Sequence, residues 1–301
     1  MDSKQILIPF WKVQSIGNDF VLIHWSDFLE RVTNENGDAE ALVREFAIQA
    51  CDRKFGIGSD GLLTLQMAEG TLAVRMFNPD GTEDFCGNGL RCAAQHAFNE
   101  GWVTESFNMV HRGQLVPTSI ADGKVSTVIG VADYTPEKVP HKNGELFNQT
   151  VWSGMDSGMP LSLFGSALTT GSTHVVIPTF ALPDDDGFRS ISSKIEVDPL
   201  FPERTSVIWS HELEPMKLEI RIWERGVGET QGCGTGSSAA ATDYLRRKSQ
   251  GGTVEVINPG GTVYVTMQAW NAPIMLQGVA VSVYSGHFRF RTPVTVVKDI
   301  G

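Results

Sequence analysis

The sequence predicts a protein of the α/β class in its broad α+β sense, with two pseudo-symmetric β-rich domains that each wrap a central helix. Short extended segments separated by turns dominate the chain, and only a few segments have helical periodicity. A cysteine-glycine motif also occurs twice, with its cysteines 147 residues apart. Because this spacing is close to half of the 301 residues, the repeat indicates two halves of similar construction.

The extended segments are recognised by alternation and by turn residues. Residues 216–223 alternate between apolar and polar side chains, as in a half-buried strand, and residues 72–77 form another extended run. Two hairpins are predicted where a glycine-containing turn separates two such runs. They are 114–120 with 124–129 around Asp122-Gly123, and 253–257 with 262–266 around Pro259-Gly260-Gly261.

Three helices are predicted. The first spans about residues 39–51, where Val43, Phe46, Ala47 and Ala50 share one face. The other two begin at the cysteines of the repeated motif, Cys86 and Cys233, and each continues into an alanine-containing segment.

Composition excludes several classes of protein. With 24 Lys and Arg against 35 Asp and Glu, the net charge of −11 gives no broad basic face for nucleic acid. No apolar run approaches the ~18 residues of a membrane span, and the first residues lack the pattern of a secretory signal, so a cytoplasmic protein is expected. The four cysteines form no CxxC pair, which argues against a disulfide scaffold and a zinc site.

The repeated motif, Cys86-Gly-Asn-Gly89 and Cys233-Gly-Thr-Gly236, is typical of an anion site at a helix amino terminus. Its glycines allow close backbone approach, and the first N–H groups and the helix dipole favour both a carboxylate and a thiolate. If two such ends converge across a cleft, one thiolate can remove the α-proton of an amino acid and the opposite thiol can return one. Inversion of the α-carbon is then expected.

A buried cysteine near a glycine turn is more often a packing residue than a catalyst. Repetition of the motif in the same context favours catalysis for Cys86 and Cys233. Cys51 and Cys92 lie inside helical segments without a glycine approach, so both are predicted to be packing residues.

Seven stretches of the chain together resemble the diaminopimelate epimerase family, within the wider group of cofactor-independent amino-acid racemases that includes proline racemase. They extend from residue 10 to about 261, whereas about 133–168 and 183–200 match no recognised pattern. The stretches are 10–20 (FWKVQSIGNDF), 55–61 (FGIGSDG), 77–81 (FNPDG), the Cys86 motif, 223–230 (WERGVGET), the Cys233 motif and 259–261 (PGG).

The resemblance implies a role for each matching position. Cys86 and Cys233 match the two catalytic thiols, and Glu224 and His174 match residues that support the thiols and the substrate amino group. The remaining matches are expected to bind substrate. They are the backbone amides of Gly87, Asn88, Gly234 and Thr235 for the reacting carboxylate, and the side chains of Asn18, Asn78 and Arg225, the last suited to a bidentate grip on the distant carboxylate.

Each of these side chains also has a plainer interpretation. Asn18 follows a glycine and Asn78 precedes Pro-Asp-Gly, so both could be turn residues. Glu224 and Arg225 could form a solvated pair, and a lone histidine such as His174 is more often a core residue than a catalyst.

The sequence departs from the family pattern at the substrate shell. Around His174 the family has Gly-Asn-Pro-His, and here Ser172 and Thr173 replace the Asn and Pro; Ser206 likewise stands where the family has asparagine. A hydroxyl is shorter than an amide and offers different hydrogen bonds. Three hypotheses therefore stay open: conversion of LL- to meso-diaminopimelate, racemisation of another amino acid such as histidine, and non-catalytic binding of an amino acid.

The resemblance also implies a domain organisation. Residues 1–132 would carry Cys86 and be completed by a last strand at about 285–301, and residues 133–284 would carry Cys233. No pyridoxal phosphate, metal or nucleotide signature is apparent, so no cofactor is expected. The expected partner is a small amino acid, neither nucleic acid nor membrane, and a homodimer is left open. Opposed reactive thiols are also expected to be joined by oxidation, with loss of activity.

Overall fold

The computed structural model describes residues 5–33, 38–156 and 158–292. The chain divides into two compact units, one formed by Met1–Val125 with Ala280–Gly301 and the other by Ser126–Val279. Residues 1–4, where no secretory signal is expected, and 293–301, at the end of the expected last strand, lie outside the described residues. In the part of the chain that is described, no helix is long and apolar enough to cross a membrane.

The helices and strands follow one another along the chain in two groups. The first group is β1 (Gln5–Ser15), β2 (Asn18–His24), α1 (Trp25–Val32), α2 (Ala39–Cys51), β3 (Gly61–Ala68), β4 (Thr71–Phe77), β5 (Glu83–Asp84), α3 (Gly87–Asn99), β6 (Ser106–His111), β7 (Gln114–Ala121) and β8 (Lys124–Val128). The second group is β9 (Gln149–Asp156), β10 (Met159–Thr169), β11 (Thr173–Thr179), α4 (Asp185–Glu196), β12 (Ser206–Glu214), β13 (Lys217–Glu224), β14 (Gly228–Thr230), α5 (Gly234–Lys248), β15 (Gly252–Asn258), β16 (Gly261–Met267), β17 (Met275–Gly278) and β18 (Val281–Arg291).

The first unit is built on a mixed sheet with strand order β18-β1-β2-β3-β4-β6-β7. Neighbours are antiparallel except β2–β3 and β4–β6, which are parallel. A parallel pair requires a crossover, and helices supply both: α1 and α2 connect β2 to β3, and α3 lies between β4 and β6 in the chain. The short strand β5 pairs with β4 just before α3 begins.

Residues on the two faces of this sheet pack into two different cores. Phe20 and Leu22 of β2 belong to a cluster that contains the α3 residues Leu90 and Ala94. The alternate residues Val21 and Ile23 belong to a second cluster with Phe46 of α2. This follows from the two-residue period of a strand, and it places α3 on one face of the sheet and α1 and α2 on the other.

The second unit repeats the same pairing pattern. Its strand order is β9-β10-β11-β12-β13-β15-β16-β17, again with two parallel pairs, β11–β12 and β13–β15. The helix α4 connects β11 to β12, α5 connects β13 to β15, and the short β14 pairs with β13 before α5 begins. The units therefore share a topology in which α3 and α5 are equivalent crossover helices.

The helices α3 and α5 are the central helices of their units. Nine of the 13 residues of α3 and 11 of the 15 residues of α5 are buried, so strands cover these helices on most sides. Alanine, glycine and serine make up seven of the 11 buried residues of α5, which allows close approach of the surrounding backbone. The predicted fold class, two β-rich halves that each wrap a helix, is confirmed.

The local predictions hold where the sequence has a distinct physical signal. The helix α2 spans Ala39–Cys51, and the Asp38 carboxylate accepts a hydrogen bond from the Glu40 backbone N–H at its start. Asp122 and Gly123 between β7 and β8 both have positive φ, as a type I′ turn requires. The late hairpin pairs β15 with β16 from Gly252↔Met267 to Asn258↔Gly261.

The expectation of three helices is too low, because α1 and α4 are also present. The helix α1 has only eight residues, too few to repeat an apolar period clearly. The helix α4 begins in the acidic run Asp184-Asp185-Asp186, which resembles a loop in sequence, but the Asp184 carboxylate accepts from the Gly187 backbone N–H as a helix cap.

Candidate active site

Cys86 is the amino-terminal cap of α3. Its backbone is extended, with φ −146°, and its carbonyl accepts the first helical hydrogen bond from Leu90 N–H. Its thiol donates to Asn18 Oδ1 over 3.5 Å, and the Asn88 side-chain amide donates to the same oxygen over 3.1 Å. The structure thus brings three predicted residues, Asn18, Cys86 and Asn88, together, with Gly87 as the first helical residue.

Asn18 is oriented by a carboxylate that sequence reasoning did not select. Asp60 Oδ2 accepts from Asn18 Nδ2 over 2.7 Å and from the Asp19 backbone N–H over 3.1 Å. The other Asp60 oxygen pairs with Arg53 at 2.7 Å. Because Asp60 binds the Asn18 amino group, the Asn18 carbonyl oxygen is the atom directed at Cys86.

A charged network supports Asp60. Arg53 bridges Asp60 and Asp19, with a distance of 2.8 Å to the Asp19 carboxylate, and Lys12 pairs with Asp19 and donates to the Gly58 carbonyl. Burial opposes ionisation of Asp19, but hydrogen bonds from Arg53 and Lys12 hold its pKa below the usual value. The carboxylate of Asp19 is therefore ionised and fixed between two cations.

The motif at residues 55–61 has a steric reason for one of its glycines. A Cβ at Gly56 would lie 2.1 Å from the Gln49 carbonyl oxygen and 2.8 Å from that of Ala50, so the loop can pass the end of α2 only with glycine there. This passage leads the chain to Asp60, and the motif thereby contributes to the position of Asn18.

Arg91 orients Asn88 from inside the unit. Its side chain is fully buried, its Nε donates to Ser15 Oγ over 3.2 Å, and a terminal amino group donates to Asn88 Oδ1. The Asn88 amino group is thereby turned to Asn18. The signal that could have identified Arg91 is its charge at an otherwise apolar position of a central helix.

Asn78 takes part in a turn. It follows β4, its side-chain amide donates to Thr82 Oγ1 over 3.1 Å, and its backbone N–H donates to the Thr82 carbonyl over 2.8 Å. The plainer interpretation of Asn78 as a turn residue is therefore correct for its described contacts, and substrate binding by Asn78 stays a prediction.

Cys233 caps α5 in the second unit as Cys86 caps α3 in the first. Its backbone is extended, and the Gly236 backbone N–H donates to its sulfur over 3.4 Å. Its sulfur lies 3.2 Å from Thr235 Oγ1. Gly234 begins the helix, as predicted from the repeated motif.

Hydroxyl groups connect Cys233 to a buried histidine. Thr235 Oγ1 lies 3.4 Å from His174 Nε2 and 3.2 Å from Ser172 Oγ, and Ser172 Oγ lies 3.4 Å from the same ring nitrogen. His174 is fully buried, and burial lowers its pKa to about 4, with the Arg225 charge acting in the same direction. The imidazole is therefore neutral at pH 7, and its Nδ1 has no hydrogen-bond partner among the described residues.

Beside this cluster lie Ser206, at the start of β12, Glu224, at the end of β13, and Arg225, in the turn that follows β13. His174 pairs with Ser206 in the parallel β11–β12 ladder, and Ser206 Oγ accepts from the Arg225 backbone N–H over 3.1 Å. Glu224 accepts from Thr230 Oγ1 over 2.6 Å. The exposed Arg225 side chain donates to the Glu203 carbonyl over 3.0 Å.

The two units place similar contacts at equivalent positions. The pair Asn18 and Asn88 in the first unit corresponds in topology and in motif position to Ser172 and Thr235 in the second. In each pair, one residue lies just before or at the start of a strand and the other is the second residue of the central helix. One member of each pair contacts the cysteine that caps the central helix of its unit: Asn18 contacts Cys86, and Thr235 contacts Cys233.

Cys51 and Cys92 are packing residues, as predicted. Both are buried in apolar clusters of the first unit. Burial raises the pKa of Cys51 to about 11 and also raises the pKa of Cys92, so both remain protonated thiols near neutral pH.

Comparison with known proteins identifies relatives over nearly the whole chain. The sequence model of diaminopimelate epimerase matches residues 10–134 and 166–283. The diaminopimelate epimerase of Desulforudis audaxviator is 34% identical over 286 residues, covering 93% of this chain and 98% of its own. That of Desulfovibrio desulfuricans is 33% identical over 299 residues, covering 94% and 99%.

Solved structures share the fold at much lower identity. A hydroxyproline epimerase from Agrobacterium vitis with bound trans-4-hydroxy-L-proline superimposes with a TM-score of 0.64 at 12% identity, covering 97% of this chain and 93% of its own. A phenazine biosynthesis protein of the PhzF family from Bacillus anthracis gives 0.62 at 16% identity, covering 93% and 98%. With relatives above 30% identity along almost its full length, this chain belongs to the diaminopimelate epimerase family.

Proposed function

We propose that this protein is a cofactor-independent amino-acid epimerase that converts LL-diaminopimelate to meso-diaminopimelate. The observation that carries the proposal is the pair of thiols, Cys86 and Cys233, that cap the equivalent central helices of a chain from this family. Relatives with 34% and 33% identity bear the name of that enzyme, which supports diaminopimelate as the substrate.

The proposed reaction moves one proton from the substrate and one to it. One thiolate takes the α-proton, so that the Cα–H bond breaks and an S–H bond forms. The other thiol then gives its proton to the opposite face of the planar carbanion, leaving a thiolate. Atoms and charge balance without an oxidant or a cofactor, and the protonation states of Cys86 and Cys233 exchange with each turnover. The mechanism requires the two sulfurs to reach opposite faces of the α-carbon.

When the α-proton leaves, negative charge develops on the α-carbon and spreads to the adjacent carboxylate. That carboxylate therefore needs hydrogen-bond donors that stabilise the added charge. The backbone N–H groups of Gly87 and Asn88, and those of Gly234 and Thr235, lie in the first turns of α3 and α5, where N–H groups lack helical partners. We assign the carboxylate to these amides, since the helix dipoles add positive potential at the same points.

We assign supporting roles to side chains near each thiol. Neutral His174, through Thr235, would hold the hydrogen-bonding arrangement beside Cys233, and Glu224 would accept from the substrate ammonium. Asn18, Asn78 and Arg225 would bind the rest of the substrate, with Arg225 on the distant carboxylate.

A second candidate is a racemase for another amino acid such as histidine. It is favoured by Ser172 and Ser206, which replace family asparagines. Both hydroxyl groups already have polar neighbours in the second unit: Ser206 Oγ accepts from Arg225 N–H, and Ser172 Oγ lies near Thr235 and His174. Shorter side chains with these contacts would present a different surface to the distal end of a substrate.

A substrate panel separates the candidates. Purified enzyme is incubated with LL-diaminopimelate and, separately, with L-histidine and other single amino acids, and the stereoisomers are resolved by chiral chromatography. Formation of meso-diaminopimelate at a higher kcat/KM than any other inversion is expected. Inversion of another amino acid alone would replace the substrate assignment, and binding without inversion of any compound would support the non-catalytic alternative.

We also propose a cytoplasmic location, because the family's reaction is biosynthetic.

We propose a homodimer as the assembly state. Light scattering during size-exclusion chromatography tests this assembly state. A mass near twice the 32.9 kDa of the chain is expected, and a mass near 32.9 kDa would contradict it.

A further inference from the structure

A cavity of about 330 Å³ opens on the second unit. It lies where the parallel strands β11 and β12 end, between their last paired residues, Thr179 and His211, and Arg247 near the end of α5. The carboxyl ends of parallel strands are a common place for ligands in α/β sheets, and this volume is within the range of small-molecule sites.

This cavity is separate from the thiol of the same unit. Arg247 lies 13 residues beyond Gly234 in α5, and at 1.5 Å per residue the two ends of this helix segment are about 20 Å apart. The residues already assigned to the proposed reaction do not line the cavity.

Two walls of the cavity have charges of opposite sign that neighbouring residues hold in place. Glu212 accepts from the Tyr244 hydroxyl over 2.8 Å and pairs with Lys248 at 3.5 Å. Arg247 Nε donates to the buried Asp243 carboxylate over 2.9 Å, so its guanidinium is oriented from behind. The cavity therefore offers a preorganised cation and a preorganised anion.

The remaining wall is apolar. Leu218 of β13 lines the interior, and Phe180, immediately after β11, lies at the cavity with its ring fully exposed. An exposed phenylalanine beside an apolar wall gains by covering the hydrocarbon part of a ligand.

We propose that this cavity binds a free amino acid with an apolar side chain. The ligand carboxylate pairs with Arg247, its ammonium pairs with Glu212, and its side chain packs on Leu218 and Phe180. This inference rests on the cavity alone and does not depend on the proposed reaction.

The test uses L-leucine as the probe and amide NMR shifts as the readout, in the ¹⁵N-labelled full chain with Cys86→Ala and Cys233→Ala to prevent turnover. We expect saturable shifts at the amides of Phe180, His211 and Leu218. Isoamylamine and 4-methylpentanoate, which lack the carboxylate and the ammonium respectively, are expected to bind at least about tenfold more weakly. Shifts confined to Gly234 and Thr235, or no saturation at any of these amides, would overturn the proposal.

Two variants identify the groups that bind. Arg247→Lys keeps the positive charge but removes the bidentate guanidinium, and an about fivefold loss of L-leucine affinity is expected. Glu212→Gln should weaken L-leucine more than 4-methylpentanoate, which has no ammonium. Arg289→Lys, in the exposed strand β18, is the matched control and should bind as the parent chain does. Equal L-leucine affinity in all of these variants would contradict the assignment.

Discussion

Asp60 accepts a 2.7 Å hydrogen bond from the amino group of Asn18, and this contact turns the Asn18 carbonyl oxygen to the thiol of Cys86. Arg53 and the Asp19 backbone hold Asp60 in turn. The residue that contacts the thiol is therefore positioned by a carboxylate that does not itself contact it.

Asp60→Asn is expected to lower activity, because the new amide can present its amino group to Asn18 and permit the Asn18 amide to rotate. Loss of one charged hydrogen bond corresponds to about a 10- to 100-fold decrease in kcat/KM. Steady-state kinetics with diaminopimelate measure the effect. Asp122→Asn, in an exposed turn of the same unit, is the control and should match wild type. An unchanged kcat/KM in Asp60→Asn would show that Asn18 needs no such support.

Thr235→Val is expected to impair the second unit's thiol with little effect on folding. The hydroxyl of Thr235 contacts both Cys233 and His174, and valine keeps the side-chain shape without those contacts. An about tenfold decrease in kcat, with a thermal midpoint close to that of wild type, is the expected result. Thr253→Val, in the β15–β16 hairpin where Thr253 contacts Thr266, is the matched control. A large loss of stability with normal kcat per folded molecule would assign Thr235 a purely structural role.

Stability is expected to fall between about pH 6.5 and pH 4. Burial lowers the pKa of His96 to about 4 and also lowers that of His24, and their Nε2 atoms lie 2.9 Å apart. Since the unfolded chain binds protons at its ordinary histidine pKa and the folded chain resists them, acidification through this window favours unfolding, and the effect levels off below pH 4.

A histidine that is protonated in the unfolded chain and neutral in the folded chain contributes a slope of at most about 1.4 kcal/mol per pH unit, and His96, whose pKa is lowered to about 4, contributes most of this within that window. Urea unfolding at several pH values should therefore give a shallower pH dependence for His96→Asn than for wild type. His287→Asn, in the exposed strand β18, should keep the wild-type slope. Equal slopes for His96→Asn and wild type would remove the histidine pair as the cause.

Oxidation is expected to abolish activity reversibly. If Cys86 and Cys233 act as a thiol pair on one substrate, treatment with diamide should join them, and dithiothreitol should restore turnover. Peptide mapping by mass spectrometry should find residues 86 and 233 linked and Cys51 and Cys92 as thiols, because Cys51 and Cys92 are enclosed in apolar clusters and burial raises their pKa. Activity that is insensitive to both reagents would count against the pairing.

The features that the sequence predicts are those with local causes. Glycines after a cysteine end an extended segment and begin a helix, so the capping positions of Cys86 and Cys233 follow from a few neighbouring residues. The alternation of apolar and polar side chains predicts β13. The turn residues, which have positive φ in the structure, predict the hairpin bend between β7 and β8. The equivalence of the two units follows from repetition of the motif.

The network around Asn18 could not be predicted in the same way. Asn18 and Asp60 are 42 residues apart in sequence, and Arg91 and Ser15 are 76 apart, so no periodicity relates them. The parallel β2–β3 pairing brings Asp60 beside Asn18, and that pairing depends on the whole crossover through α1 and α2. Helix α4 is not predicted, for a local reason, because the acidic residues at its start resemble a loop in sequence.

The most direct test of two-thiol catalysis is inversion of LL-diaminopimelate in D₂O, followed by NMR for deuterium at the α-carbon of the meso product. Wild type and Cys51→Ala should form deuterated meso product at similar rates. Cys86→Ala and Cys233→Ala should each lose inversion by about 10³-fold, because either variant lacks the group for one face. Inversion at the wild-type rate in either of these two variants would contradict the mechanism.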